Sequence, residues 1–241
     1  IIKQIKSAYK SNYGDNYKDS LNQALTSAGY KNLSEYRQRM IKQIQYANFL
    51  LDYIDDHFDD VFNDYYQQCA PKYVSLIKIS VSDTSSPTDD ETSKLNEVKE
   101  LISNTDKSFG DIAQDYSDDS TSSKKGSLGI VDSKDTSGIA NSYGKDVFNA
   151  IEALSEGQVS DVITGDDGYY FVKVTSTDKK TLKKELKKTD IDSPLLAYDD
   201  YLQYVVYNSY KINYKDKDIK KIVQEVVNKA LEERKTERGE A

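Results

Sequence analysis

Cysteine and histidine are nearly absent from the 241-residue chain, which carries one of each. A lone Cys69 rules out an intramolecular disulfide and a cysteine-rich metal site, and it lies too deep to be an N-terminal lipidation site. The lone His57 stands among Asp55, Asp56, Asp59 and Asp60, where a solvated helix face is the expected role. Ser-His-Asp hydrolysis is excluded in the same way, since no nucleophile-elbow motif is present. Apolar runs near the roughly 20 residues that cross a bilayer are missing, as are the three regions of a signal peptide. The helical pattern is already under way at Ile1-Ile2-Lys3, so a leader or lipid anchor is expected upstream. An excess of positive charge is lacking too: 33 Lys+Arg face 41 Asp+Glu, for a net charge of -8, which argues against nucleic acid as a partner. The acidic pairs Asp55-Asp56, Asp59-Asp60 and Asp166-Asp167 do not form the spaced ligand loop of a calcium site, and no metal or other cofactor is expected.

What the chain does have is tyrosine, 20 residues of it, within a hydrophobic content of 37%. That is more than a disordered polyampholyte carries, and the chain is expected to fold despite a mean hydropathy of -0.74. Tyrosine pairs an apolar ring with a polar tip, so most of these residues suit half-buried packing and the rest suit wet recognition surfaces.

Apolar residues recur at helical spacing from the start to about residue 70. Leu21, Ala24, Leu25 and Ala28 form a short stripe ended by Gly29. Met40, Ile41, Ile44, Ala47, Leu51 and Ile54 form a longer one, with Asn32 or Ser34 as its N-cap. Phe58, Val61, Phe62 and Tyr65 form a third, stopped by Pro71. The texture changes at Tyr73, where a β-branched run to Val81 predicts a strand. A loop over residues 82–90 and helices around Leu95 to Ile102 and Phe109 to Tyr116 follow. Residues 117–142 are rich in Ser, Asp, Lys and Gly, a linker-like composition broken by an apolar island at Leu128 to Val131. Val147 to Leu154 reads as a helix, and Val159 to Thr164 and Tyr169 to Thr175 as a hairpin around Gly165-Asp166-Asp167-Gly168. Helix returns with Ser193 as cap, Pro194 in the first position and the stripe Leu195, Tyr198, Leu202, Val205, Val206. After a polar joint, Ile219, Ile222, Val223, Val226, Val227 and Ala230 make the last stripe. No internal repeat is seen.

The order is helices, an α+β unit, then helices. Each helical flank is too small to fold alone. The expected class is therefore α+β, with a small antiparallel sheet and its helices over residues 72–181 inserted between helical segments 1–71 and 182–241 that pack together.

Within the central unit four motifs occur in order. They are Ser108-Phe109-Gly110-Asp111-Ile112-Ala113-Gln114-Asp115-Tyr116-Ser117-Asp118-Asp119, Gly126-Ser127-Leu128-Gly129, Leu154-Ser155-Glu156-Gly157-Gln158-Val159-Ser160, and Gly168-Tyr169-Tyr170-Phe171-Val172. Together they resemble the parvulin family of peptidyl-prolyl isomerases. In the second motif one family glycine is replaced at Lys125 or Ser127. The helical flanks, with Tyr65, Tyr66 and Pro71 leading into the strand, extend the resemblance to the PrsA-type foldases and protease-maturation lipoproteins of Gram-positive bacteria.

The resemblance implies a lipid-anchored protein on the outer face of the cell membrane. Its partners would be unfolded or partly folded secreted polypeptides and proline-containing peptides, with the membrane touched only through the anchor. A homodimer is left open. The family places two histidines in its site; Leu76 stands at the first and Tyr170 at the second. Its acidic position is kept as Asp119, the one candidate catalytic residue, although Asp after Ser at a helix end also serves as a cap. The hydroxyl position falls at Gly165, beside Thr164. The expected proline-binding residues are Leu76, Leu128, Tyr143, Phe148 (or Val147 in its place) and Tyr170. Three functions follow: a foldase with a degenerate isomerase domain, an active isomerase using Asp119 and Tyr170, and a surface adhesin or scaffold.

Overall fold

The structure, a computed structural model, describes residues 2–186 and 191–240. The helical pattern read at Ile1 lies outside them. The chain divides into two compact units between Asp56 and His57.

The first unit is helical: α1 (Ile2–Tyr13), α2 (Tyr17–Ser27) and α3 (Leu33–Asp56). The α2 stripe is buried at Leu21 and Leu25. Of the two caps read for α3, Asn32 is the one that accepts, from the Glu35 amide at 2.9 Å, while Glu35 accepts from the Lys31 amide at 2.8 Å. The first bond satisfies a donor that the first turn leaves open, and the second ties the residue before the cap to the helix. Leu50 and Ile54 are the buried residues of α3, whereas Ile41 is exposed.

The second unit begins with α4 (Phe58–Cys69), which buries Val61, Phe62, Tyr65 and Cys69, and continues into β1 (Lys72–Ser80). Then come α5 (Asp89–Asn104), α6 (Phe109–Tyr116), β2 (Ser127–Val131), α7 (Ile139–Tyr143), α8 (Lys145–Ala153), β3 (Ile163–Thr164) and β4 (Gly168–Ser176). Among the described residues the strands form one antiparallel sheet in the order β2-β1-β4-β3. Side chains alternate along a strand, so β1 feeds two cores. Val74 and Leu76 join Val131, Ile139, Val147, Ile151, Tyr170 and Val172 beneath α7 and α8. Ile77 and Ile79 join Leu95, Val98, Phe109, Ile112, Ala113 and Phe171 beneath α5 and α6. Lys72 reaches the C-terminal end of α8, where its ammonium donates to the carbonyls of Ile151, Glu152 and Leu154. A cation there meets the negative end of the helix dipole.

The linker-like stretch is ordered: a 3-10 turn (Ser120–Lys124), β2 and α7 occupy it. The expected hairpin is shorter than its pattern. β3 spans only Ile163–Thr164, because the preceding segment is held differently. Gly157 and Ser160 donate their amides to the Val174 and Val172 carbonyls, and the Ser160 hydroxyl accepts from the Val172 amide.

After β4 come α9 (Lys179–Leu186), a 3-10 turn (Pro194–Leu196), α10 (Leu202–Ser209) and α11 (Lys217–Glu237). Ser193 caps as expected, accepting from the Leu195 amide, but the single helix read through Val206 is broken at residues 197–201. At the break Asp199 turns inward, its carboxylate taking the Tyr201 amide and the guanidinium groups of Arg234 and Arg238. The stripe of α11 is buried only at Val227 and Ala230, while Ile219, Ile222 and Val226 are exposed.

Candidate functional site

The face of the sheet under α7 and α8 carries most of the residues singled out from the sequence. Lys78 on β1 lies opposite Tyr170 on β4, and Leu76 lies opposite Val172. Leu76 has no exposed surface and Tyr170 only 2%. The reading of Leu76 as a ligand contact is thereby corrected: it is core beneath the site and offers a ligand no surface. Leu128, Tyr143 and Phe148 pack half-buried on the same cluster.

Tyr143 and Tyr170 meet edge to face, with ring centroids 6.2 Å apart. They line a groove of about 560 Å³ with Val147, Ile163, Thr164 and Asp167. Leu128 lines a different groove, along β2.

The Tyr170 hydroxyl is bonded to a carboxylate, and the charge of Asp119 acts on both phenols. Tyr170 donates to Asp167, which also accepts from the Lys78 ammonium. Burial above all, then the bond to Asp167, pushes the Tyr170 phenol up. The same two bonds, Lys78 first, hold the Asp167 carboxyl below its usual range. Burial raises the Tyr143 phenol, followed by the charge of Asp119 and a hydrogen bond to it. Lys78 also lies 5.7 Å from the centre of the Tyr170 ring, within cation–π range.

Asp119 is set in place by the segment that follows α6. The Ser117 hydroxyl accepts from the Lys78 amide at 3.0 Å, the Asp118 amide donates to the Lys78 carbonyl at 2.8 Å, and the Asp118 carboxylate accepts from the Ser80 amide at 2.9 Å. The Tyr-Ser-Asp-Asp run is thus stitched to β1. One Asp119 oxygen caps the 3-10 turn through the Thr121 amide at 2.8 Å, so the capping role is present. Sequence reasoning had passed over Lys78 and Asp167 as site residues. The signal for Lys78 was its place two residues along the same face from Leu76.

No group of metal-ligating residues occurs among the described residues. What the site offers is an aromatic wall, one tyrosine–aspartate pair and one ion-paired lysine, which suits binding of an apolar ring with polar groups around it.

Residues 76–176 match the model of the rotamase family, the PPIC-type PPIASE domain. The foldase protein PrsA of Staphylococcus aureus is 32% identical over 141 residues, 56% of this chain and 41% of that protein, and PrsA of Staphylococcus epidermidis gives the same figures. The chain thus spans about two fifths of the length of these curated relatives. Among solved structures, foldase protein PrsA from Streptococcus pneumoniae is 20% identical, covering 93% of this chain and 80% of that one at a TM-score of 0.41. PrsA from Bacillus subtilis is 23% identical, covering 90% and 77%, also at 0.41. Residues 76–176 are a parvulin-type domain, in a chain whose curated relatives are foldase proteins PrsA.

Proposed function

We propose that the chain is an extracytoplasmic protein-folding factor for secreted polypeptides, held by a lipid anchor on the outer face of a Gram-positive cell membrane. In this reading the helical segments 1–71 and 182–241 hold unfolded clients, and the parvulin-type domain binds proline segments with weak catalysis or none. The family match and the foldase relatives support the general role.

One observation carries the loss of catalysis. Rotation about X-Pro is accelerated by groups that stabilise the twisted amide, so they must reach the rotating carbonyl. At the two positions matching the family histidines stand Leu76, with no exposed surface, and Tyr170, whose hydroxyl proton is committed to Asp167. Of the expected proline-binding residues, Tyr143 and the edge of Tyr170 line the groove, and Leu128 and Phe148 pack half-buried on the same core.

The test is an isomerisation assay on an X-Pro peptide with the full chain, run beside aggregation of a denatured client. The expected result is the uncatalysed rate, with relaxation over tens to hundreds of seconds, together with suppressed aggregation. Absence of suppression would overturn the folding role. A second reading has its own observation, the negative charge of Asp119 felt by the phenols of both Tyr143 and Tyr170. A catalysed rate that Asp119→Ala abolishes would establish this active isomerase instead.

A further inference from the structure

The Tyr170 side chain is held from several directions. Its backbone sits inside the sheet, paired with Lys78 on β1 and with Ile163 on β3. Its hydroxyl is bonded to Asp167, which Lys78 holds in turn, and Tyr143 meets its ring edge to face. A further neighbour is Gly165, in the turn between β3 and β4, which lines the same groove. A Cβ built at Gly165 would lie 2.7 Å from Cε2 of the Tyr170 ring and 3.3 Å from Cδ2. Position 165 is itself fixed, because its amide donates to the Gly168 carbonyl at 2.9 Å and closes the turn. Its φ lies outside the left-handed region, so the backbone accepts alanine there and the ring is what opposes it.

We propose that the bare Gly165 seats the Tyr170 ring as a fixed wall, and that the groove thereby acts as a receptor for a single X-Pro isomer, holding it rather than interconverting the two. The proposal rests on the reading that this groove binds proline segments. The isomers differ in shape: consecutive Cα atoms are about 3.8 Å apart across a trans bond and about 2.9 Å apart across a cis one, and the chain leaves the proline ring in different directions. An isomerase must accommodate both and bind the twisted state between them better than either. A wall held by Asp167, Tyr143 and Gly165 does not follow the amide as it turns, so it matches one end state. A receptor that binds one of two exchanging states draws the population towards that state. A bound client is then kept with its proline in one isomer until it is released.

The experiment adds the full chain to a short peptide with fluoroproline after phenylalanine and follows it by fluorine NMR, where the isomers give separate resonances because they exchange over tens to hundreds of seconds. One resonance is expected to shift and gain intensity while the other stays in place, with exchange still at the uncatalysed rate. Gly165→Ala is expected to weaken binding about tenfold by displacing the ring, and in urea melts to cost stability in the parent but not beside Tyr170→Leu, which removes the obstructing ring. Asp167→Ala, at an exposed side chain and so compatible with folding, frees the Tyr170 hydroxyl and is expected to narrow the affinity difference between the isomers about threefold. Shifts of both resonances with equal affinity, or accelerated exchange between them, would overturn the single-isomer receptor and leave the proline-binding reading standing. No shift of either resonance would overturn both. Binding and selectivity unchanged in both groove variants would overturn the wall as their cause.

Discussion

At Gly126 the backbone leaves no room for even a methyl group. Its φ of +75° lies in the left-handed region, and an added Cβ would come within 2.4 Å of the Leu76 carbonyl oxygen and 2.8 Å of the Ala113 side chain. The close approach is what lets the Gly126 carbonyl accept the Leu76 amide at 2.8 Å, fastening the turn before β2 to the strand beneath the site. Gly126→Ala is therefore expected to destabilise the protein by about 2–4 kcal/mol, combining left-handed strain with a steric shift of backbone. A urea melt with an unchanged midpoint would show that the turn can relax. This residue was legible as part of a glycine motif, but the reading left open whether Lys125 or Ser127 replaces the family's other glycine. Lys125 has φ +56°, the region a glycine favours, which marks it as the replaced position. Asp167 was not legible as a site residue: in sequence it is half of an acidic pair in a turn. Only the fold brings it to Tyr170 and Lys78.

Among the elements, α11 is fastened to the rest of its unit by charge more than by its apolar stripe. Arg234 and Arg238 both bridge Asp64 on α4 and Asp199 at the break before α10. Asp199 keeps 3% of its side-chain surface and Arg238 keeps 10%, so little water screens this pair. Removing one partner of a fully buried pair costs about 3–5 kcal/mol, because the other charge is left buried. Arg238→Ala is expected to cost less, about 2–3 kcal/mol, since Arg234 still reaches both carboxylates and Asp64 is partly solvated. Chemical denaturation checks it, and high salt is expected to narrow the gap between variant and parent only slightly. Periodicity placed α11; the buried role of its C-terminal end depends on pairings across the chain that spacing does not reveal. The start of α5 was missed for a different reason. Thr88 and Glu91 form a complete capping box, and bonds donated to the Glu91 carboxylate by the Ser82 amide and then by the Thr88 amide and hydroxyl hold it down at about 2. The spacing Thr-x-x-Glu was there to be read, but the polar run of residues 82–90 read as loop.

For the whole molecule, everything that positions the site belongs to the unit that starts at His57. The two apolar cores on either side of the sheet draw only on residues from Val74 to Val172. α4 is fixed to this body by bonds of its own: Tyr65 donates to Asp132 at 2.9 Å and meets Tyr198 edge to face at 5.4 Å, and Tyr198 donates to Asp64 at 2.8 Å. The change of texture at Tyr73 made the β-rich part visible in the sequence. The sequence separates the stripe that ends at Ile54 from the one that starts at Phe58, but both read as parts of one helical segment, so nothing in it marked a unit boundary at His57. Residues 57–241 expressed alone are accordingly expected to fold cooperatively, with a single urea transition and slow amide exchange along β1 and β4. Cys69 supplies an internal probe. Burial pushes its thiol up to about 11, with the Asp132 charge adding to the effect. A folded fragment should therefore resist alkylation at pH 8 and become reactive only through the urea transition. Rapid alkylation without denaturant would mean that α4 does not seat without residues before 57, and that the unit is not self-sufficient.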